Sequence, residues 1–397
     1  MKKTHAIPIL SGAAAVALAI MTAAPALAGP AQPRTAHSAV RSVLRPGAIV
    51  TGARGSGGRG VVLTGTHLSG GALAAFLWRG PLSRASGAAV SVLRPAFRGV
   101  TGATFYGPDT HLFNPRAIPR GEVRAVGSYV SSDAPAGVHD LGMIYLGPVS
   151  GRGGRWTSIA VPAHGRHVTG HVSACPPRRP KCIVMDTIPH STMGHLVVGN
   201  YDLNPTVGSR PISGNAFIYN LSTRRYTLLR LHGSLATKTT FYGIWQDGGP
   251  GSPRYTLAGG SSARAGQRGL LINFNERTGR FGPPFFFTYF NRPVPTHFEG
   301  ITAVPGGFNL VSMQVGHGPA QAHIRVLRHG GFSRPQWRRV PTGSSALCPC
   351  KIVTGNTVWR NRVMGLYVNS ASPAARTYLA TMPPQARGKV EARRHPH

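Results

Sequence analysis

The sequence predicts an all-β chain folded as a six-bladed β-propeller of four-stranded blades, its last blade closed by the N-terminal strand. Three observations carry this expectation. Gly 52 and Pro 34 fill more than a fifth of the 397 residues, and each interior Gly or Pro costs a helix roughly 1 to 3 kcal/mol. Hydrophobic residues make up 41% against 14% charged, too apolar a balance for a chain that stays unfolded. Short peptides also recur at spacings of about 50 to 70 residues, which suits one blade and its loops.

The chain opens on what reads as an export signal over 1–28. Lys2 and Lys3 form a charged start, an Ala-rich apolar stretch runs from Ala13 to Ala24, and Ala26-Leu27-Ala28 offers the small residues a signal peptidase reads. Cleavage is expected after Ala28, which makes the protein secreted or periplasmic. No later stretch is long and apolar enough to span a bilayer as a helix. Residues 29–39, with Pro30 and Gln32-Pro33-Arg34, and the basic stretch 384–397 lie outside the repeat pattern. They read as a disordered linker and a disordered tail around a monomeric propeller over 40–383.

Within that span Ser42-Val43-Leu44-Arg45-Pro46 recurs as Ser91-Val92-Leu93-Arg94-Pro95. Val-Thr-Gly follows each copy, at 50–52 and 100–102, and returns at 168–170 and 353–355. Thr104-Phe105-Tyr106-Gly107 recurs as Thr240-Phe241-Tyr242-Gly243, and Phe298 holds the same spacing from Phe286 as Phe105 from Leu93. One unit divides into β-branched or aromatic runs at 239–246, 254–259, 269–274 and 285–290, with turn clusters between them such as Asp247-Gly248-Gly249-Pro250. Extending that division places inner strands near Ile49, Val100, Val168, Phe241, Phe298 and Val353. Outer strands fall near Val43, Val92, Ile159, Leu228, Phe286 and Arg339. The last unit has strands at 351–359, 363–369 and 376–381 and then stops. Its missing outer strand is expected from 40–44, which would leave no free sheet edge.

At the third strand of two units, Ala74-Ala75-Phe76-Leu77-Trp78 and Asn215-Ala216-Phe217-Ile218-Tyr219 resemble the His-Ala-Phe core of the extracellular HAF-type repeats of secreted bacterial proteins. The resemblance spans 40–383 and implies a propeller-like ring. It carries over no functional residue: the His is replaced in both copies, and Met143-Ile144-Tyr145 and Leu270-Leu271-Ile272 depart further.

Four cysteines, Cys175, Cys182, Cys348 and Cys350, follow the export signal. Export makes disulfides the expectation, with three pairings open, and the spacings match no zinc pattern. No nucleophile elbow, zincin helix, phosphate loop or EF-hand loop is present, so neither metal nor cofactor is expected. Among the histidines, His164, His167 and His171 cluster and His190 and His195 flank a loop, without acidic partners at metal-site spacing.

The candidate site follows from position. Inner strands line a propeller's channel, and Tyr106, Tyr242 and Glu299 share one repeat position. His297, Trp245, Asp247, Asp109 and Trp359 are expected near them around one mouth. Aromatic faces with a few polar groups suit a carbohydrate or small-molecule pocket. Ligand-binding candidates are therefore Tyr106, Tyr242, Trp245, Asp247, Glu299 and Trp359, and Glu299 with His297 is the candidate acid/base pair. The competing account has Phe105, Phe241 and Phe298 packing between blades while their neighbours merely face the channel.

Lys+Arg 44 against Asp+Glu 10 gives a net charge of +34, a field that attracts polyanions. After export the partner is an acidic polysaccharide or another surface polyanion. A second account of the charge is adaptation to acid, since a fold with few carboxylates loses little when they protonate. The reading is a non-enzymatic binding or scaffold protein at the cell surface or in the periplasm. Two alternatives stand beside it: a polysaccharide or lactone lyase or hydrolase at the channel mouth, and a polyanion-binding module.

Overall fold

In the computed structural model the described residues are 40–69, 71–163, 168–169, 174–175, 182–204, 212–229, 231, 238–263, 266–313, 318–341, 350–369 and 372–383. The expected export signal over 1–28, the expected linker at 29–39 and tail at 384–397, the His164, His167 and His171 cluster and Cys348 lie outside them. The described residues contain no α-helix. Six antiparallel sheets form the ring of a six-bladed propeller, each sheet running outward from an inner strand.

The inner strands are Ala48–Gly57, Val100–Thr110, Ile183–Met193, Lys238–Asp247 and His297–Val304, with Cys350–Val353 and Thr357–Trp359 sharing the role in blade 6. They touch in cyclic order, the last against the first. Closure is as the repeat pattern predicts. Val40–Val43 pairs antiparallel with Ser372–Thr381, Val40 opposite Ala380 and Val43 opposite Thr377.

One inner strand corrects the sequence reading. Val168 does not start blade 3; Val168–Thr169 pairs in parallel on the outermost strand of that sheet, opposite Tyr226 and Thr227. The inner strand is Ile183–Met193, beyond a disulfide between Cys175 and Cys182. Of the three cysteine pairings left open, the structure contains this one. It closes a short loop just before the strand.

The core is divided into six clusters, one between each pair of neighbouring blades. Phe105, Phe241 and Phe298 are fully buried in three of them. Phe105 stacks on Trp156 and Phe298 on Trp337, each from the outer strand of its own blade. The alternation of strand side chains supplies both faces of every sheet to these clusters, so each blade is held by two neighbours. Large buried aromatics dominate the contact area.

Near the axis the blades approach more closely than side chains allow. A Cβ placed on Gly52 would lie 2.0 Å from the Tyr106 carbonyl oxygen, and one on Gly107 would lie 2.6 Å from that of His190. Gly52→Ala is therefore expected to cost about 1–3 kcal/mol through forced separation of blades 1 and 2. Urea denaturation of the two proteins measures it, and an unchanged midpoint would show that the blades shift freely.

Candidate functional site

Each inner strand carries one extra residue at the same height. The pairing of inner with second strand shifts register between Val50 and Gly52, Phe105 and Gly107, Pro189 and Ser191, Phe241 and Gly243, and Phe298 and Gly300. A β-bulge leaves its extra residue unpaired and re-aims its side chain. The bulged residues are Thr51, Tyr106, His190, Tyr242 and Glu299. Asn356 holds the corresponding place in blade 6, between the two pieces of the inner strand. The Thr51 hydroxyl donates to the Phe105 carbonyl, and Asn356 Nδ2 to the Val50 carbonyl at 2.8 Å. Bulge side chains thus tie one blade to the next.

Four of the sequence-predicted residues meet in this tier. Tyr106 lies 4.8 Å from the His190 ring, His190 stacks on Tyr242 at 3.7 Å, and Tyr242 meets His297 edge-on at 4.4 Å. His297 Nδ1 is 3.0 Å from Glu299 Oε1, and its Nε2 shares a 2.7 Å hydrogen bond with the Thr240 hydroxyl. Burial holds His190 down to a pKa of about 3, despite the hydrogen bond to Asn200 and with further depression from His297. The imidazole is therefore neutral, and its Nε2 donates to Asn200 Oδ1 at 2.6 Å. Burial, followed by Glu299, Tyr106 and Asp202, pushes the Tyr242 phenol well above its ordinary value.

Three residues further along the inner strands stand Arg54, Asp109, Met193, Trp245, Thr302 and Trp359. Here the structure separates what the sequence reading had grouped around one mouth. Trp245 and Trp359 do not join Tyr106 and Tyr242; one tier along, they line a cavity of about 920 Å³ where the hairpins from inner to second strands converge. Asp247 lies beside it, in a neighbouring cavity. Phe113 meets Trp245 edge-on at 5.4 Å and Trp359 at 6.2 Å. The triad draws one aromatic from each of blades 2, 4 and 6. Arg59, Arg360 and Arg362 add positive charge to the lining, which among the described residues holds no carboxylate.

The second tier holds a buried residue that sequence reasoning missed. Arg54 reaches from blade 1 to the Pro108 carbonyl at 3.2 Å, and to the Ser191 hydroxyl and the Ile244 carbonyl at 3.5 Å. Its guanidinium sits 5.2 Å from the Trp245 ring and 5.9 Å from Phe113. One side chain thus links blades 1 to 4 behind the aromatic triad. A search for repeats does not single it out, because Arg stands there in one blade only.

No family model matches the chain, and no curated protein sequence matches it. Among solved structures it is similar to the periplasmic gluconolactonase of Pseudomonas aeruginosa, at 10% identity and a TM-score of 0.41 over 84% of this chain and 85% of that one. The GH93 α-L-arabinofuranosidase of Fusarium graminearum gives 10% and 0.44 over 85% and 96%. The sialidase of Trypanosoma rangeli gives 8% and 0.42 over 87% of this chain and 60% of that one. At these values the likeness carries nothing about activity.

Proposed function

We propose that the protein is an exported, non-enzymatic binding protein whose ligand is anionic and seats on the aromatic triad. The observation that carries this is the lining of the 920 Å³ cavity: Trp245, Phe113 and Trp359 with Arg59, Arg360 and Arg362, and no carboxylate among the described residues. Apolar rings supply contact area, and the guanidiniums fix an anion by charge-assisted hydrogen bonds. Arg54 adds a further positive charge behind the rings. The disulfide is in keeping with export, and the net charge of +34 draws anions toward the mouth.

Calorimetric titration with galacturonate and with galactose tests the reading. Galacturonate is expected to bind at least tenfold more tightly. Trp359→Ala is expected to weaken it about tenfold, or ~1.4 kcal/mol, and Arg59→Gln, at an exposed hairpin tip, to weaken it without touching the core. Equal binding of the two sugars would remove the anion from the proposal.

A second reading, hydrolysis or lyase chemistry, is favoured by the 3.0 Å approach of His297 Nδ1 to Glu299 Oε1. An acid/base pair needs that reach, yet neither residue lines either cavity described here. Turnover of a polysaccharide or lactone that Glu299→Gln abolishes would establish it over simple binding.

A further inference from the structure

Beside the cavity at the mouth lies a second, of about 690 Å³, between the hairpins of blades 4 and 5. Trp245, Gly248 and Ala303 line both. The Trp245 indole is therefore a shared wall, not the end of one pocket. The second lining differs in chemistry. Asp247, Thr256, Asn273, Asn275 and Thr278 bring hydrogen-bonding groups, and Arg254 and Arg280 stand exposed at the edge. Thr256 Oγ1 donates to Asp247 Oδ2 at 2.9 Å, and Asn273 Nδ2 to the Gly330 carbonyl at 2.9 Å, so these groups are held in place before any ligand arrives.

We infer that the two cavities are successive subsites of one elongated site, which takes a linear acidic oligosaccharide of two or more units. The inference rests on the mouth being an anion-binding site, as proposed above. Three features carry the extension. First, the shared wall places one subsite next to the other, each of a size that encloses a small ligand unit. Second, positive charge repeats along the pair: Arg59, Arg360 and Arg362 in the first cavity, Arg254 and Arg280 in the second, against Asp247 as the one lining carboxylate among the described residues. Repeating cations complement an anion that itself repeats. Third, the second cavity presents amide and hydroxyl groups, which match sugar hydroxyls.

A nucleic-acid strand fits less well. It needs a run of successive exposed rings on which bases stack; in the second cavity Trp245 and Phe281 are part-exposed, whereas Tyr255, Phe274, Phe308 and Phe332 are buried.

The test is calorimetric titration of the folded protein with galacturonate and its dimer, trimer and tetramer, with a single-stranded oligonucleotide as comparison. Affinity is expected to rise at least tenfold from monomer to tetramer. Arg280→Gln, at an exposed turn, is expected to weaken the tetramer at least threefold and leave the monomer unchanged, whereas Arg59→Gln weakens both. Identical affinities for monomer and tetramer would overturn the elongated site and leave the mouth reading standing. Tight binding of the oligonucleotide without binding of any galacturonate would overturn both, as would no binding at all.

Discussion

Asp109→Ala is expected to destabilise the fold by about 3–5 kcal/mol, the range for a buried ion pair that loses one partner. Asp109 is fully buried, and Arg54 and Arg124 are buried with it. Arg124 Nη1 lies 3.8 Å from Asp109 Oδ2 and donates to the Gly194 carbonyl at 2.7 Å. Asp109 Oδ1 accepts the Thr110 amide at 2.9 Å. One carboxylate thus offsets two guanidiniums in a chain that already carries +34. Without it, both cations stay buried with only neutral carbonyl and hydroxyl partners, and no nearby acid replaces the lost charge. Urea denaturation measures the loss. Adding Arg124→Met should recover part of it, because the second change removes one uncompensated charge. A single-mutant loss below about 1 kcal/mol would show that water screens the cluster after all.

How much of this was legible in the sequence depends on whether the information was repeated. Ring closure was legible because the last unit lacks a strand and 40–44 lacks a neighbour. The outer strands were legible from their apolar, β-branched runs. Blade 3 was not. Its inner strand carries Pro189-His190-Ser191 where other blades carry peptides such as Phe-Tyr-Gly, so nothing there resembled the repeat, and Val168-Thr169-Gly170 took its place. The Val-Thr-Gly copies also misled in phase. In space Val50-Thr51-Gly52 matches Phe105-Tyr106-Gly107, five residues beyond Val100-Thr101-Gly102. In blades 1 and 2 the tripeptide marks a bulge, and a strand can hold two: blade 2 also shifts register between Val100 and Gly102. His190 was passed over for the same reason as its strand. The division of the candidate residues between two tiers was out of reach, because it depends on which end of a strand each occupies.

Acid tolerance is the second large effect, and two of its contributions, from Asp247 and His190, have opposite signs. By composition alone, carboxylates are groups with stability to lose on protonation. Asp247 instead stands to gain. Burial pushes the Asp247 carboxyl up to about 6 from 3.8, against the Thr256 hydrogen bond and Arg254. Its ionised form therefore costs the fold, and that cost is relieved as the pH falls through 6 toward 3.8. Burial also raises Asp109, against the opposing pull of Arg124 and Arg54, but its protonation would strip the counter-charge from both buried guanidiniums. His190 runs opposite to Asp247. Its pKa is about 3 in the fold against 6.5 unfolded, so its contribution is full above 6.5 and drains away as the pH falls toward 3.

By about pH 4 the Asp247 shift contributes roughly 2 kcal/mol and the His190 shift costs roughly 3 kcal/mol, so the two nearly offset. The expected result is a stability curve that is flat to within about 1 kcal/mol between pH 6.5 and pH 4. Asp247→Asn keeps the acceptor for Thr256 and removes the compensation, and should lose roughly 3 kcal/mol over that interval. His190→Gln keeps a donor for Asn200 and should gain a similar amount as the pH falls, from a lower starting stability. Denaturant titrations at each pH read the slopes. Parallel curves for all three proteins would mean that neither group controls the acid limb. Tolerance of acid would then have to come from the scarcity of paired surface carboxylates, of which Arg98–Asp133 is an exposed example.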